Sequence, residues 1–278
     1  MIDRISIEPS RFCSKGCAFC YNGSSLRGQV GFTAAEVIEL ALDCASNGVR
    51  FLSIGGGEPL EWPGLFETLE SLKGVLGRSF TTNGLQLAKH LDDVVRAAPD
   101  KVHVSIHMPS EAGRVADQVT ELARRGVPSG VNLLVRKTQL EAAREASLTL
   151  ERAGIDRERI VFLPSRGIPN ETPTPAEVAW VATGVRVKSP PFKSMSCLNG
   201  CAKSERFASI GADRTVAWCS YTSSRRVLTA LNYLGVLDAL GSRGPAELLP
   251  LVPCDPRGHV VKSPSPLVHR DFPDAKRL

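Results

Sequence analysis

Three cysteines, Cys13, Cys17 and Cys20, sit in the stretch RFCSKGCAFCYNG with three and then two residues between them. A structural zinc site takes four ligands, and a disulfide would leave one of these thiols over. Thiolates are also the preferred ligands of iron–sulfur clusters. Three protein ligands on a [4Fe–4S] cubane leave one iron corner open, which suits an enzyme and not an electron carrier. Zinc stays an alternative, because His90, His103 or His107 would supply the fourth ligand. A second group, Cys197, Cys201, Cys219 and Cys254, lies in the last third of the chain. Cys44 stands apart on an apolar stripe, where it reads as a core residue.

The elements that must position these thiols alternate in type between residues 3 and 163. β-type runs occur at 4–9, 50–59, 79–84, 101–107, 130–136 and 159–164. Helical patterns lie between them, at about 61–75, 86–97, 110–126 and 138–153. The first helix carries a capping-box signature, Thr33 with Glu36, ahead of a stripe of Val37, Ile38, Ala41, Cys44 and Ala45. Six β-then-α units predict an α/β fold of parallel strands joined by right-handed crossovers, either a doubly wound sheet or a partial (βα)6 TIM-like barrel. Chemistry in both belongs at the C-terminal ends of the strands. The cysteine loop, the Gly55–Gly57 turn, Asn83 and His107 all fall there.

Period-2 alternation puts Val102, Val104 and Ile106 on one face of the fourth strand and His103, Ser105 and His107 on the other, the polar face inward. Ser105 thereby becomes a candidate contact for the polar groups of a bound ligand, and His107 a candidate catalytic proton donor or acceptor near neutral pH. Asn132 and Arg136 share a face of the fifth strand, with Arg136 suited to a carboxylate. After Gly167 the texture changes. A proline-rich linker leads into a helix at about 176–183, with Thr174 as N-cap and Pro175 at its first position. The expected domains are therefore 1–170 and a smaller unit, 171–278.

Composition narrows the function classes. With 278 residues, 42% hydrophobic and 23% charged, the chain has the makeup of a globular protein. A net charge of +5 without a basic run argues against nucleic acid. No segment approaches the ~20 apolar residues of a membrane span, and no signal peptide is evident, so the expected location is cytoplasmic, with reduced thiols.

CxxxCxφC, standing here as Cys13, Cys17, Phe19 and Cys20 directly after a first strand, resembles the signature of the radical S-adenosylmethionine (radical SAM) superfamily. Gly56-Gly57-Glu58-Pro59 at the end of the second strand is similar to that family's GGEP turn. Thr82-Asn83-Gly84 follows the third strand, and VSIH ends the fourth, where the family commonly shows Ser-x-Asp. The resemblance covers about residues 4–165. It implies a [4Fe–4S] cluster whose open iron is chelated by S-adenosylmethionine. One-electron reduction by an external flavodoxin- or ferredoxin-like donor then yields a 5′-deoxyadenosyl radical that abstracts hydrogen from an unactivated C–H bond. Phe19 is then expected against the adenine, and Gly56, Gly57, Glu58, Pro59, Asn83, Ser105, Asn132 and Arg136 around the cofactor. Glu58 has two readings, ammonium contact or holder of its own loop, and the second is favoured. Gly56 and Gly57 would let backbone polar groups approach the ligand without a Cβ in the way.

The stretch CAKSERFASIGADRTVAWC resembles the SPASM and twitch extensions of the same superfamily. Their hairpin has glycine where Ser204 and Arg214 stand here. The resemblance implies an auxiliary [4Fe–4S] cluster in the single-cluster twitch form, held by Cys197, Cys201, Cys219 and Cys254, or by the last three with one iron open to substrate. A four-cysteine zinc site is the alternative. The implied enzyme is a radical SAM oxidoreductase acting on a small molecule or short peptide. Alternatives are a peptide maturase forming crosslinks or epimers, or a non-catalytic iron–sulfur electron carrier or redox sensor.

Overall fold

The first five β-type runs mix apolar residues with polar ones in alternation, and in the structure, a computed structural model, that alternation becomes two faces of one sheet. Residues 2–165, 170–186, 193–194, 206–222 and 224–241 are described. The strands are β1 (Arg4–Ile7), β2 (Phe51–Ile54), β3 (Gly77–Thr82), β4 (Lys101–Ile106), β5 (Ser129–Val135) and β6 (Ile160–Pro164). Each pairs with the next in parallel. Ile5, Ile7, Leu52, Ile54, Phe80, Val102, Val104, Ile106, Leu133 and Phe162 are buried in the core. The alternate residues Ser6, Ser53, Thr81, Ser105 and Asn132 face a cavity instead. The fold is the expected α/β class, a parallel six-stranded sheet resembling a partial TIM barrel.

The helices are α1 (Ala34–Ser46), α2 (Leu65–Ser71), α3 (Leu91–Ala97), α4 (Ala112–Arg124), α5 (Leu140–Arg152) and α6 (Pro175–Thr183). The Thr33–Glu36 capping box is formed in both directions, with Thr33 N donating to Glu36 Oε2 at 2.9 Å. Val37, Leu40, Ala41 and Cys44 make the buried stripe of α1. Burial pushes the Cys44 thiol up to about 12, which makes it the inert core residue its position suggests. Thr174 and Pro175 begin α6 as expected. The second and third helices are shorter than their patterns. Pro59–Glu61 forms a single 3₁₀ turn capped by Glu58, and Asn83 Oδ1 accepts from Leu85 N at 2.8 Å to hold a turn ahead of α3.

Beyond the linker, β7 (Lys193–Ser194) pairs in parallel with β6. The expected hairpin is present as β8 (Phe207–Ile210) and β9 (Thr215–Ala217), followed by β10 (Arg226–Val227) and α7 (Tyr233–Leu240). The hairpin does not stand apart. Strand β8 runs parallel to β1 in register from Arg4↔Phe207 to Ile7↔Ile210, giving the order β10-β9-β8-β1-β2-β3-β4-β5-β6-β7. An open edge at β1 would expose unpaired backbone groups, and β8 satisfies them. Cys197, Cys201 and Cys254 lie outside the described residues. No helix among the described residues is long and apolar enough to cross a membrane.

Candidate cofactor and substrate cavity

The cysteine loop grows directly out of β1. Its stem closes on itself, with Arg11 N donating to Gln29 O at 2.9 Å and Cys13 N to Ser25 O at 3.1 Å. It is also zipped to the turn after β2: Gly57 N donates to Ser10 O at 2.7 Å and Glu58 N to Phe12 O at 2.9 Å. Within the loop, Cys20 N donates to Cys17 O at 3.0 Å and Gly23 N to Cys20 O at 3.2 Å. These turns bring Cys13, Cys17 and Cys20 to the wall of one cavity of about 320 Å³. Gly55, Gly56, Gly57, Glu58, Asn83, Ser105, His107, Asn132 and Phe19 line the same cavity.

The geometry adds detail to three of the expected roles. A Cβ on Gly57 would lie 1.9 Å from Phe12 O, and one on Gly56 would lie 2.6 Å from Ser10 O. Both glycines therefore leave room for the cysteine loop, and it is Gly55 whose missing Cβ faces open space. Glu58, 2% exposed, accepts from Thr82 Oγ1 at 2.6 Å, Asn83 N at 2.7 Å and Leu60 N at 3.1 Å. Burial pushes its carboxyl up, against those donated bonds. Its carboxylate thus holds the turn, and Pro59 is buried behind it as the first residue of the 3₁₀ turn. Arg136 lies outside the lining; its guanidinium stacks 4.2 Å from the Phe19 ring centroid and pairs with Glu171 at 3.6 Å. A second partner of Phe19 is His107, edge-on at 5.5 Å.

His107 Nδ1 is 3.8 Å from Cys17 Sγ. Burial, with Lys15 nearby, lowers its pKa to about 4, which favours the neutral imidazole at neutral pH. Asn83 Nδ2 donates toward Cys13 Sγ at 3.9 Å. Sequence reasoning missed the props of the loop. Lys15 pairs with Glu111 at 2.6 Å, Ser14 N donates to Glu61 at 2.8 Å, and Tyr21 Oη donates to Glu8 at 2.6 Å. Glu8 had a usable signal, since it continues the inward face of Ser6. Glu61 and Glu111 had none, being set by how neighbouring turns meet. Cys219 follows β9, and the next two residues, Ser220 and Tyr221, line the cavity, with the Tyr221 ring tilted against Tyr21 at 4.7 Å between centroids.

A sequence model of the radical SAM superfamily matches residues 7–177. The chain belongs to the radical SAM superfamily. A probable GTP 3′,8-cyclase of Methanopyrus kandleri is 35% identical over 102 residues, 37% of this chain and 33% of that protein. One of Methanococcus aeolicus is 26% identical over 178 residues, 58% of this chain and 59% of that protein. The chain thus spans about a third to three fifths of the length of these curated relatives. Among solved structures, Streptococcus suis SuiB bound to S-adenosylmethionine is similar in fold, with a TM-score of 0.62 at 15% identity over 79% of this chain and 60% of that one. Native anSMEcpe with bound AdoMet gives 0.55 at 13% identity, over 78% and 74%.

Radical SAM membership implies a [4Fe–4S] cluster and S-adenosylmethionine, and the cavity fits them. Burial raises the pKa of Cys13 and Cys17, so bare thiolates are disfavoured there, a cost that bound iron would offset. The three thiols line the same cavity. Among the described residues, no three His, Cys, Asp or Glu side chains converge as the ligands of one ion do. The polar row from β1 to β5, Ser6, Ser53, Thr81, Ser105 and Asn132, offers hydroxyls and an amide opposite the loop.

Proposed function

We propose that this radical SAM enzyme holds its cluster on Cys13, Cys17 and Cys20 and modifies a small molecule or short peptide in the same cavity, with a net oxidative outcome. The supporting observation is that the three thiols, the Gly55–Glu58 turn and the polar row of five strands line one cavity. When bound, the cluster and S-adenosylmethionine supply the 5′-deoxyadenosyl radical that takes hydrogen from an unactivated carbon. The chain's own residues do the rest. Glu58 and the backbone of Ser10 and Phe12 fix the loop, Gly55 leaves space at the cavity wall, and Ser105 and Asn132 hydrogen-bond the ligand. Phe19, braced by Arg136 and His107, packs against the adenine. His107, neutral, sets the surroundings of Cys17. A second, auxiliary cluster on Cys197, Cys201, Cys219 and Cys254 would take the substrate's electron, and the cavity position of Ser220 and Tyr221 beside Cys219 supports this.

The relatives named GTP 3′,8-cyclase make GTP a second reading. A triphosphate needs several cations close together. Among the described residues lining the cavity, the cation is Lys15, already paired with Glu111. That favours a substrate of low charge.

Both readings are tested by anaerobically reconstituted protein incubated with dithionite and S-adenosylmethionine, with and without GTP. Wild type is expected to hold about eight irons and to release 5′-deoxyadenosine, leaving GTP intact. Cys13/Cys17/Cys20→Ala is expected to keep about four irons and release none. Conversion of GTP would replace the first reading by the second. Iron unchanged in the triple variant would sink the assignment of the cluster to this loop.

A further inference from the structure

Arg214 stands where the resembling hairpin motif has glycine, and its backbone has φ +59°, a left-handed conformation that L side chains rarely adopt. Glycine would take that conformation without strain. The arginine side chain reaches across to the end of the cysteine loop. Nη2 donates to Gly31 O at 3.2 Å and pairs with Glu36 Oε1, and the guanidinium carbon lies 4.8 Å from the Phe32 ring centroid. Those three residues are the exit of the loop and the first turn of α1.

The neighbouring residues of the same turn also grip the stem. Asp213 Oδ2 pairs with Arg11 Nη2 at 2.6 Å. Ala212 O occupies the space of a Gly31 side chain, since a Cβ there would lie 1.8 Å away. Arg11 and Gly31 flank the two strands of the stem, which are joined by the bond from Arg11 N to Gln29 O. Each ion pair is partly exposed and weak by itself. What distinguishes the arrangement is that a strained arginine, a close backbone approach and two ion pairs all act on one loop. Backbone held in a sparsely populated region persists where the surroundings require it.

We infer that Arg214, with Asp213, is a positioning residue for the cysteine loop: the β8–β9 turn holds the stem, and through it the three thiols, from outside the cavity. The inference rests on the reading of Cys13, Cys17 and Cys20 as cluster ligands. It reassigns the hairpin turn, since the turn then serves the first cysteine group as well as the second.

The test is Arg214→Gly in the full chain, which relieves the backbone and deletes the contacts together. Thermal unfolding is expected at the wild-type temperature or above, because the glycine fits the left-handed position. In metal-free protein, amide exchange at Arg11, Gly31 and Phe32 is expected to quicken several-fold, with no change in the strands of the barrel. In a Cys201→Ala/Cys219→Ala background, the visible iron–sulfur absorption of the reconstituted first site should decay several-fold faster under a chelator than with Arg214 present. Exchange that stays at the wild-type rate at those three amides overturns the inference. A background protein that takes up no iron at all defeats the cluster reading instead, and leaves the exchange comparison to decide the clamp.

Discussion

A Cβ placed on Gly57 meets the carbonyl oxygen of Phe12, a backbone atom with nowhere to go, whereas one placed on Gly55 meets nothing within 4 Å. Two glycines two positions apart thus answer to different neighbours. Gly57 serves the packing of turn against loop, and Gly55 serves the open cavity. Gly57→Ala is expected to cost ~1–3 kcal/mol through forced displacement of the cysteine loop. Gly55→Ala is expected to lie within ~0.5 kcal/mol of wild type. Urea unfolding of the two variants checks this, and equal losses would show that the close approach is not what matters. Glu58 obeys the same logic, with three donors of its own turn and of the next strand's end converging on its buried carboxylate.

The connection from β4 into α4 works as one unit. Glu111 accepts backbone hydrogen bonds from His107 N at 2.9 Å and Met108 N at 3.0 Å on one oxygen, and pairs with Lys15 on the other. Burial pushes its carboxyl upward, but Lys15 and the two amides outweigh that and hold it near 2, below the ordinary 4.5. A carboxyl with a depressed folded pKa stabilises the fold above its unfolded value, and that contribution fades as pH falls toward the folded one. Glu111→Gln is therefore expected to destabilise the protein at pH 7, the gap to wild type narrowing between pH 4.5 and about 2. Denaturation midpoints of both proteins across that range read it directly. A gap that widened in acid would show that the pairing with Lys15 is not what holds the turn.

At the scale of the molecule, the sheet is continuous from β10 through β1 to β7. The strand that feeds the cysteine loop is clasped on one side by β2 and on the other by β8, drawn from residues more than two hundred positions away. Residues 1–170 therefore lack a neighbour of their own first strand. A chain ending at Gly184 would bare the edge of β1, and it is expected to lose cooperative thermal unfolding or to aggregate. Calorimetry on that fragment settles the matter. A sharp transition at the full-length temperature would mean that the C-terminal hairpin is an independent appendage.

Sequence by itself determined what depends on short range. Cysteine spacing, the GGEP turn, the Thr33 and Thr174 caps and the period-2 sorting of Ser105 from Val104 all express the geometry of a few consecutive residues, and each appears in the structure where its pattern lies. Tertiary structure alone decided which distant groups meet. That β8 pairs with β1, that Gly56 and Gly57 make way for the cysteine loop, that Glu111 reaches Lys15, and that Arg214 sits strained against Gly31 depend on how the sheet curls and how its loops are stacked. The residue types at those positions are compatible with many partners. Only the packing of the whole chain selects one, because a contact between residues far apart in sequence has no local pattern to announce it.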